Sequence, residues 1–106
     1  MINSSLILYG RKGCCLCEAL IKKLESISLE DIKPPLKLYS LDIDSDVSKI
    51  EKIKYDLEVP VLFFKLSSSS NMIELPRVAP RLNQESLKNW LQNIINKKIE
   101  IKDKST

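Results

Sequence analysis

The sequence predicts an α/β domain: a four-stranded mixed sheet with helices on both faces, in the order β-α-β-α-β-β-α. Three observations predict it. Short apolar runs recur at residues 5–9, 36–43, 61–64 and 72–75. Between them the apolar spacing changes to three- and four-residue steps, which marks amphipathic helices. The whole chain has 106 residues, the size of one domain.

The first run, residues 5–9, ends at Gly10 and fits a buried strand. Leu16, Leu20, Leu24 and Ile27 then recur at helical spacing, with Glu18, Lys22, Lys23 and Glu25 between them. This helix is expected to end before Pro34 and Pro35. Leu36, Leu38 and residues 41–43 form a second strand-like run. Asp44 or Ser45 is placed to cap a second, shorter helix whose apolar residues are Val47, Ile50 and Ile53. Pro60 precedes a third strand, Val61, Leu62, Phe63 and Phe64, rich in β-formers.

Residues 67–71, four serines and an asparagine, read as a polar loop before a fourth strand at 72–75. Two strands this close suit an antiparallel pair. Asn83 is placed to cap the last helix, with Leu82 and Leu87 at the positions of a hydrophobic staple. Leu87, Trp90, Leu91, Ile94 and Ile95 form one stripe, so Trp90 reads as core rather than as a ligand platform. The first two strands should be parallel and joined by a right-handed crossover. The domain is expected to span residues 1–98, with 99–106 as a flexible tail.

Composition narrows the function. The apolar and charged fractions, 43% and 29%, are those of an ordinary soluble domain. No apolar run approaches the ~20 residues of a membrane span. The first residues lack the basic segment and long apolar core of a signal peptide. The expectation is a cytoplasmic protein, a monomer without membrane or nucleic-acid partners. The net charge of +3 is small, and its basic residues are interleaved with acidic ones.

All three cysteines, Cys14, Cys15 and Cys17, fall within four positions, and histidine is absent. A disulfide framework would spread its cysteines along the chain. Without histidine, the commonest acid–base group near neutral pH is missing, so the chemistry falls to thiols. The cluster joins a strand's end to a helix's start, and both glycines of the chain, Gly10 and Gly13, stand in this loop. Cys14 and Cys17 are three apart, so both sulfurs can lie on one side of the first helical turn. Unpaired N–H groups and the helix dipole there favour an anion. Lys12 and Arg11 add positive charge and are assigned the tuning of a thiolate.

Cys14 then suits the attacking thiolate of disulfide exchange, and Cys17, one turn deeper, the resolving thiol. Cys15 either faces away as a passive small residue or competes as a partner; adjacent cysteines rarely bridge. Three cysteines without histidine fall short of a closed zinc site. No bound metal or cofactor is expected. The rival readings are a redox-sensing module, and an iron–sulfur or metal carrier whose cluster is shared between protomers.

With these residues in view, the chain resembles the glutaredoxin-like branch of the thioredoxin fold. The resemblance is carried by Leu8-Tyr9-Gly10 before the Cys14–Cys17 motif and by Leu41-Asp42-Ile43-Asp44. It is carried further by Tyr55 ahead of Val59-Pro60-Val61, and by the stretch from Glu74-Leu75-Pro76-Arg77 to Trp90-Leu91. It covers about residues 5 to 95. It implies a thiol–disulfide oxidoreductase acting on a disulfide-bearing protein or small thiol, with glutathione as a candidate reductant. It implies a cis peptide at Val59-Pro60, whose backbone would pair with substrate.

Three departures bear on the glutathione site. Glu58 stands where such proteins carry threonine before Val-Pro. No glycine pair follows the fourth strand. Cys15 and Leu16 replace the usual proline and aromatic between the cysteines. Arg77 or Arg81 is the expected substitute contact to a carboxylate.

Overall fold

The run of apolar residues after Ser5 has no polar face to offer water, so it must be covered on both sides. A computed structural model, which describes residues 4–32, 35–66, 72–77 and 82–104, places it in the interior of a four-stranded sheet. This strand, β1 (Ser4–Gly10), lies between β2 (Leu36–Asp42), parallel to it, and β3 (Val61–Lys65), antiparallel to it. A short β4 (Ile73–Glu74) pairs antiparallel with β3 and closes the order β2-β1-β3-β4. The fold class and element order are those the sequence predicts, with one addition, a 3-10 turn at Leu29–Asp31. The expected loop at 67–71 lies outside the described residues.

Strand alternation sorts the core into two clusters. Leu6 and Leu8 of β1 stand opposite Phe64 and Leu62 of β3 and point to one face. That face is covered by α1 (Cys15–Ser26) through Leu20 and Leu24, and by α3 (Gln84–Lys104) through Leu87, Leu91 and Ile95. Ile7 and Tyr9 stand opposite Phe63 and Val61 and point to the other face. There they pack with Ile43, with Tyr55 at the end of α2 (Lys49–Tyr55), and with partly buried Val47. Tyr9, Tyr55 and Phe63 meet ring to ring, with centroids 4.6–5.8 Å apart.

The caps show which local expectations hold. Asn83 caps α3: its Oδ1 accepts the Ser86 N–H at 2.8 Å. Leu82 and Leu87 both join the first core cluster, as a staple requires, and Trp90 packs against the same cluster. The cap of α2 is Ser48, not Asp44 or Ser45; its side chain accepts from Glu51 N. The aspartates are used in the turn before it, where Asp42 Oδ1 accepts from Asp44 N and Asp46 Oδ2 accepts from Asp42 N. Such side-chain turns compete with helix formation, and the helix starts later.

Two apolar assignments change. Ile50 and Ile53 are 80% and 79% exposed. The inward positions of α2 are Glu51, which accepts the Tyr9 hydroxyl, and Tyr55 one turn on. Leu16 is also exposed, in the first turn of α1, where the neighbouring Cys17 takes the inward position against Gly10. The inward stripe of α1 is Cys17, Leu20 and Leu24. At the other end of the chain, α3 continues through Lys104, past the boundary expected at residue 98. Residues 97–104 contain no glycine or proline to stop it. Among the described residues, no helix is long and apolar enough to cross a membrane.

Candidate active site

The loop between β1 and α1 is shaped by its two glycines. Cys14 N–H donates to the Arg11 carbonyl at 3.2 Å, closing a turn over residues 11–14. Gly13 holds its third position at φ +79°, the left-handed region that a type II turn requires there. Gly10 serves by its missing side chain. A Cβ at Gly10 would lie 3.1 Å from Leu8 Cδ2 and 3.3 Å from Cys17 Cβ. The bare backbone therefore lets Cys17 sit against the end of the strand. Gly10→Ala is expected to push these groups apart and cost about 1–2 kcal/mol, read from urea unfolding.

The turn delivers Cys14 to the N-cap of α1 in extended conformation, φ −84° and ψ 109°. Its sulfur replaces the oxygen of an ordinary cap: Cys14 Sγ accepts the Cys17 backbone N–H at 3.3 Å. Cys14 is half-buried, Cys15 exposed and Cys17 buried, and all three are free thiols. The Cys17 thiol is pushed up to about 11, first by burial and then by the neighbouring Cys14 sulfur, while backbone contacts from Arg11 and Cys17 itself pull the other way. The two thiols are thus unlike: one half-buried at a helix N-terminus, one enclosed behind it with its ionisation pushed up.

Lys12 is exposed in the turn. Arg11, assigned with it to thiolate tuning, turns its guanidinium to two carboxylates. It bonds Asp44 through Nε at 2.9 Å and a second nitrogen at 3.2 Å, and it pairs with the Asp56 carboxylate. It also donates to the Asp56 carbonyl at 3.2 Å. The pairing holds the Asp44 carboxyl below its usual range, through Arg11 first and Lys52 second. Arg11 therefore ties the cysteine loop to the turn after β2 and to the end of α2. Neither Asp44 nor Asp56 stood out in the sequence as its partner; they lie 33 and 45 residues away, and no local spacing signals the contact.

The Val59–Pro60 peptide is cis, as the resemblance implied. The β1–β3 ladder ends with Tyr9 opposite Val61, so Gly10 and Pro60 leave the sheet at the same end. A groove beside Pro60 is lined among others by Glu58, Val61, Glu74, Pro76 and Arg77. Arg77 is not free there: one nitrogen donates to the Glu58 carbonyl at 2.7 Å and to its carboxylate at 2.9 Å. Glu74 accepts the Tyr55 hydroxyl at 2.9 Å. Arg81 lies outside the described residues. Among the described residues, no group of three or more His, Cys, Asp or Glu is arranged to hold a metal ion.

Residues 5–92 are matched by the family model described as a glutaredoxin-like domain (DUF836). No curated protein matches. Among solved structures, a malarial protein is similar at TM-score 0.55 and 13% identity, covering 87% of this chain and 97% of that one. A structural-genomics target, XcR50 from X. campestris, is 24% identical at TM-score 0.49, over 83% of this chain and 96% of that one.

Proposed function

The chain belongs to the glutaredoxin-like domain family, and from that premise we propose that it is a thiol–disulfide oxidoreductase using Cys14 and Cys17 in dithiol exchange. The observation that carries the reading is the pairing of an accessible sulfur at a helix N-cap, accepting the Cys17 N–H at 3.3 Å, with a buried, protonated thiol on the same turn. A sulfur anion at Cys14 has an N–H donor and the positive end of α1 to meet it.

In the first step the Cys14 thiolate attacks one sulfur of a substrate disulfide. The substrate S–S bond breaks, its other sulfur leaves as a thiolate, and a mixed disulfide to Cys14 remains. Cys17 then gives its proton to the departing thiolate and attacks Cys14 Sγ. The mixed disulfide breaks, and the second substrate thiolate leaves. The substrate has gained two electrons, and the protein holds a Cys14–Cys17 disulfide, which an external thiol such as glutathione or a dithiol protein returns to the reduced form. The high ionisation point of Cys17 suits this order: it stays protonated until the mixed disulfide has formed. Cys15, exposed on the helix start, has no part in the exchange.

The test is a trap. Cys17→Ser, mixed in reduced form with a peptide disulfide, is expected to accumulate one stable adduct on Cys14, located by mass spectrometry after digestion. Wild type should show that adduct only transiently and finish with an internal disulfide. An adduct distributed over Cys14 and Cys15, or none, contradicts the assignment.

A further inference from the structure

The groove beside Pro60 has a charge balance opposite to what an anionic substrate needs. Glu58 and Glu74 line it, against a single described cation, Arg77. That cation is already held by Glu58 through both the carbonyl and the carboxylate, at 2.7 and 2.9 Å. Glutathione is net anionic at neutral pH. To use Arg77 it would have to displace Glu58 and leave that carboxylate facing its own.

The groove is also tied to the redox loop. Arg11, three residues before Cys14, grips the Asp56 carbonyl and carboxylate, and Glu58 N–H bonds the Tyr55 carbonyl in the turn that follows. Gly10 and Pro60 leave the sheet side by side. Cys14 follows Gly10 by four residues and Glu58 precedes Pro60 by two, so the redox loop and the groove lie at the same end of the sheet.

Resting on the oxidoreductase reading above, we infer that Glu58 is a specificity-determining residue: the Pro60 groove selects peptidyl disulfides flanked by cationic residues and discriminates against anionic ones such as those of glutathione. Glu58 acts twice, by attracting a cationic flank and by neutralising Arg77. Across a solvated gap of several ångströms, one unit charge changes a rate by about threefold.

The test uses three otherwise identical peptides. Each carries one cysteine as a 2-pyridyl disulfide, flanked by lysine, glutamine or glutamate. Attack by Cys14 on the peptide sulfur releases the pyridinethiol, whose absorbance gives the rate. Wild type is expected to prefer the lysine peptide over the glutamate peptide by about tenfold at low salt, and the ratio should fall towards unity at about 1 M salt. Glu58→Gln should cut the lysine-to-glutamate ratio about tenfold, to near unity, and Arg77→Gln should raise it by a similar factor. A purely structural Glu58–Arg77 pair would move all three peptides together. Equal rates with the three peptides, or a ratio that Glu58→Gln leaves unchanged, overturn the charge selection and leave thiol exchange standing. No reaction with any peptide overturns thiol exchange, and this inference falls with it.

Discussion

Cys14→Ser is expected to lower disulfide-exchange turnover by about three orders of magnitude, to the rate measured without protein. A serine hydroxyl at the same N-cap can still accept the Cys17 N–H, so α1 keeps its start and the fold is unaffected. What disappears is the nucleophile. Cys17 does not substitute for it, because it is buried and its thiol ionises only near 11. Cys15 does not substitute either: it lies inside the helix's first turn rather than at the cap, although it is exposed. The measurement is steady-state reduction of a peptide disulfide with a thiol reductant, for Cys14→Ser beside Cys15→Ser. Cys15→Ser should stay within about twofold of wild type. A Cys14→Ser protein with substantial turnover would move the reaction to another thiol.

The contrast between the two outer cysteines shows what could be read from the sequence. The position of the motif, after a strand and before a helix, put Cys14 near the helix N-terminus and Cys17 one turn deeper; that the Cys14 sulfur itself caps the helix was not readable. Cover on both faces was also foreseeable, since residues 6–9 and 61–64 are apolar without interruption and a central strand needs it. The family resemblance implied the cis peptide at Pro60.

The tertiary charge pairs were not readable. Arg11 looked like a neighbour of Cys14 because it is three residues away, yet a guanidinium on a long side chain is placed by its best bidentate partner, here Asp44. Arg77 looked like a free anion contact, and Glu58 holds it. The α2 face was misread for a related reason. Apolar spacing marks a buried face only where a neighbour covers it, and Glu51 and Tyr55 took the inward positions through hydroxyl–carboxylate bonds that hydropathy does not register.

Phe64→Ala is expected to cost about 3–5 kcal/mol of stability, out of the roughly 5–15 kcal/mol typical of a domain. The side chain is fully buried, opposite Leu6 on β1 and Ile73 on β4, beneath the leucines of α1 and α3. Its removal leaves a hole that four elements would have to close together. The urea midpoint should fall by about 2 M, while Leu57→Ala, at a position 90% exposed, should change it little. The same variant links the core to the site. Cys17 is carried by the helix that packs on this cluster and is 1% exposed, so an alkylating reagent reaches it only when the structure opens. If that opening is global unfolding, a loss of about 4 kcal/mol raises Cys17 alkylation by nearly three orders of magnitude, since each 1.4 kcal/mol is about tenfold. If the first turn of α1 opens by itself, the alkylation rate stays near that of wild type. The accessible Cys14 should react at the same rate in both proteins. The Cys17 rate thus measures how firmly the resolving thiol is built into the fold, a property the second exchange step depends on.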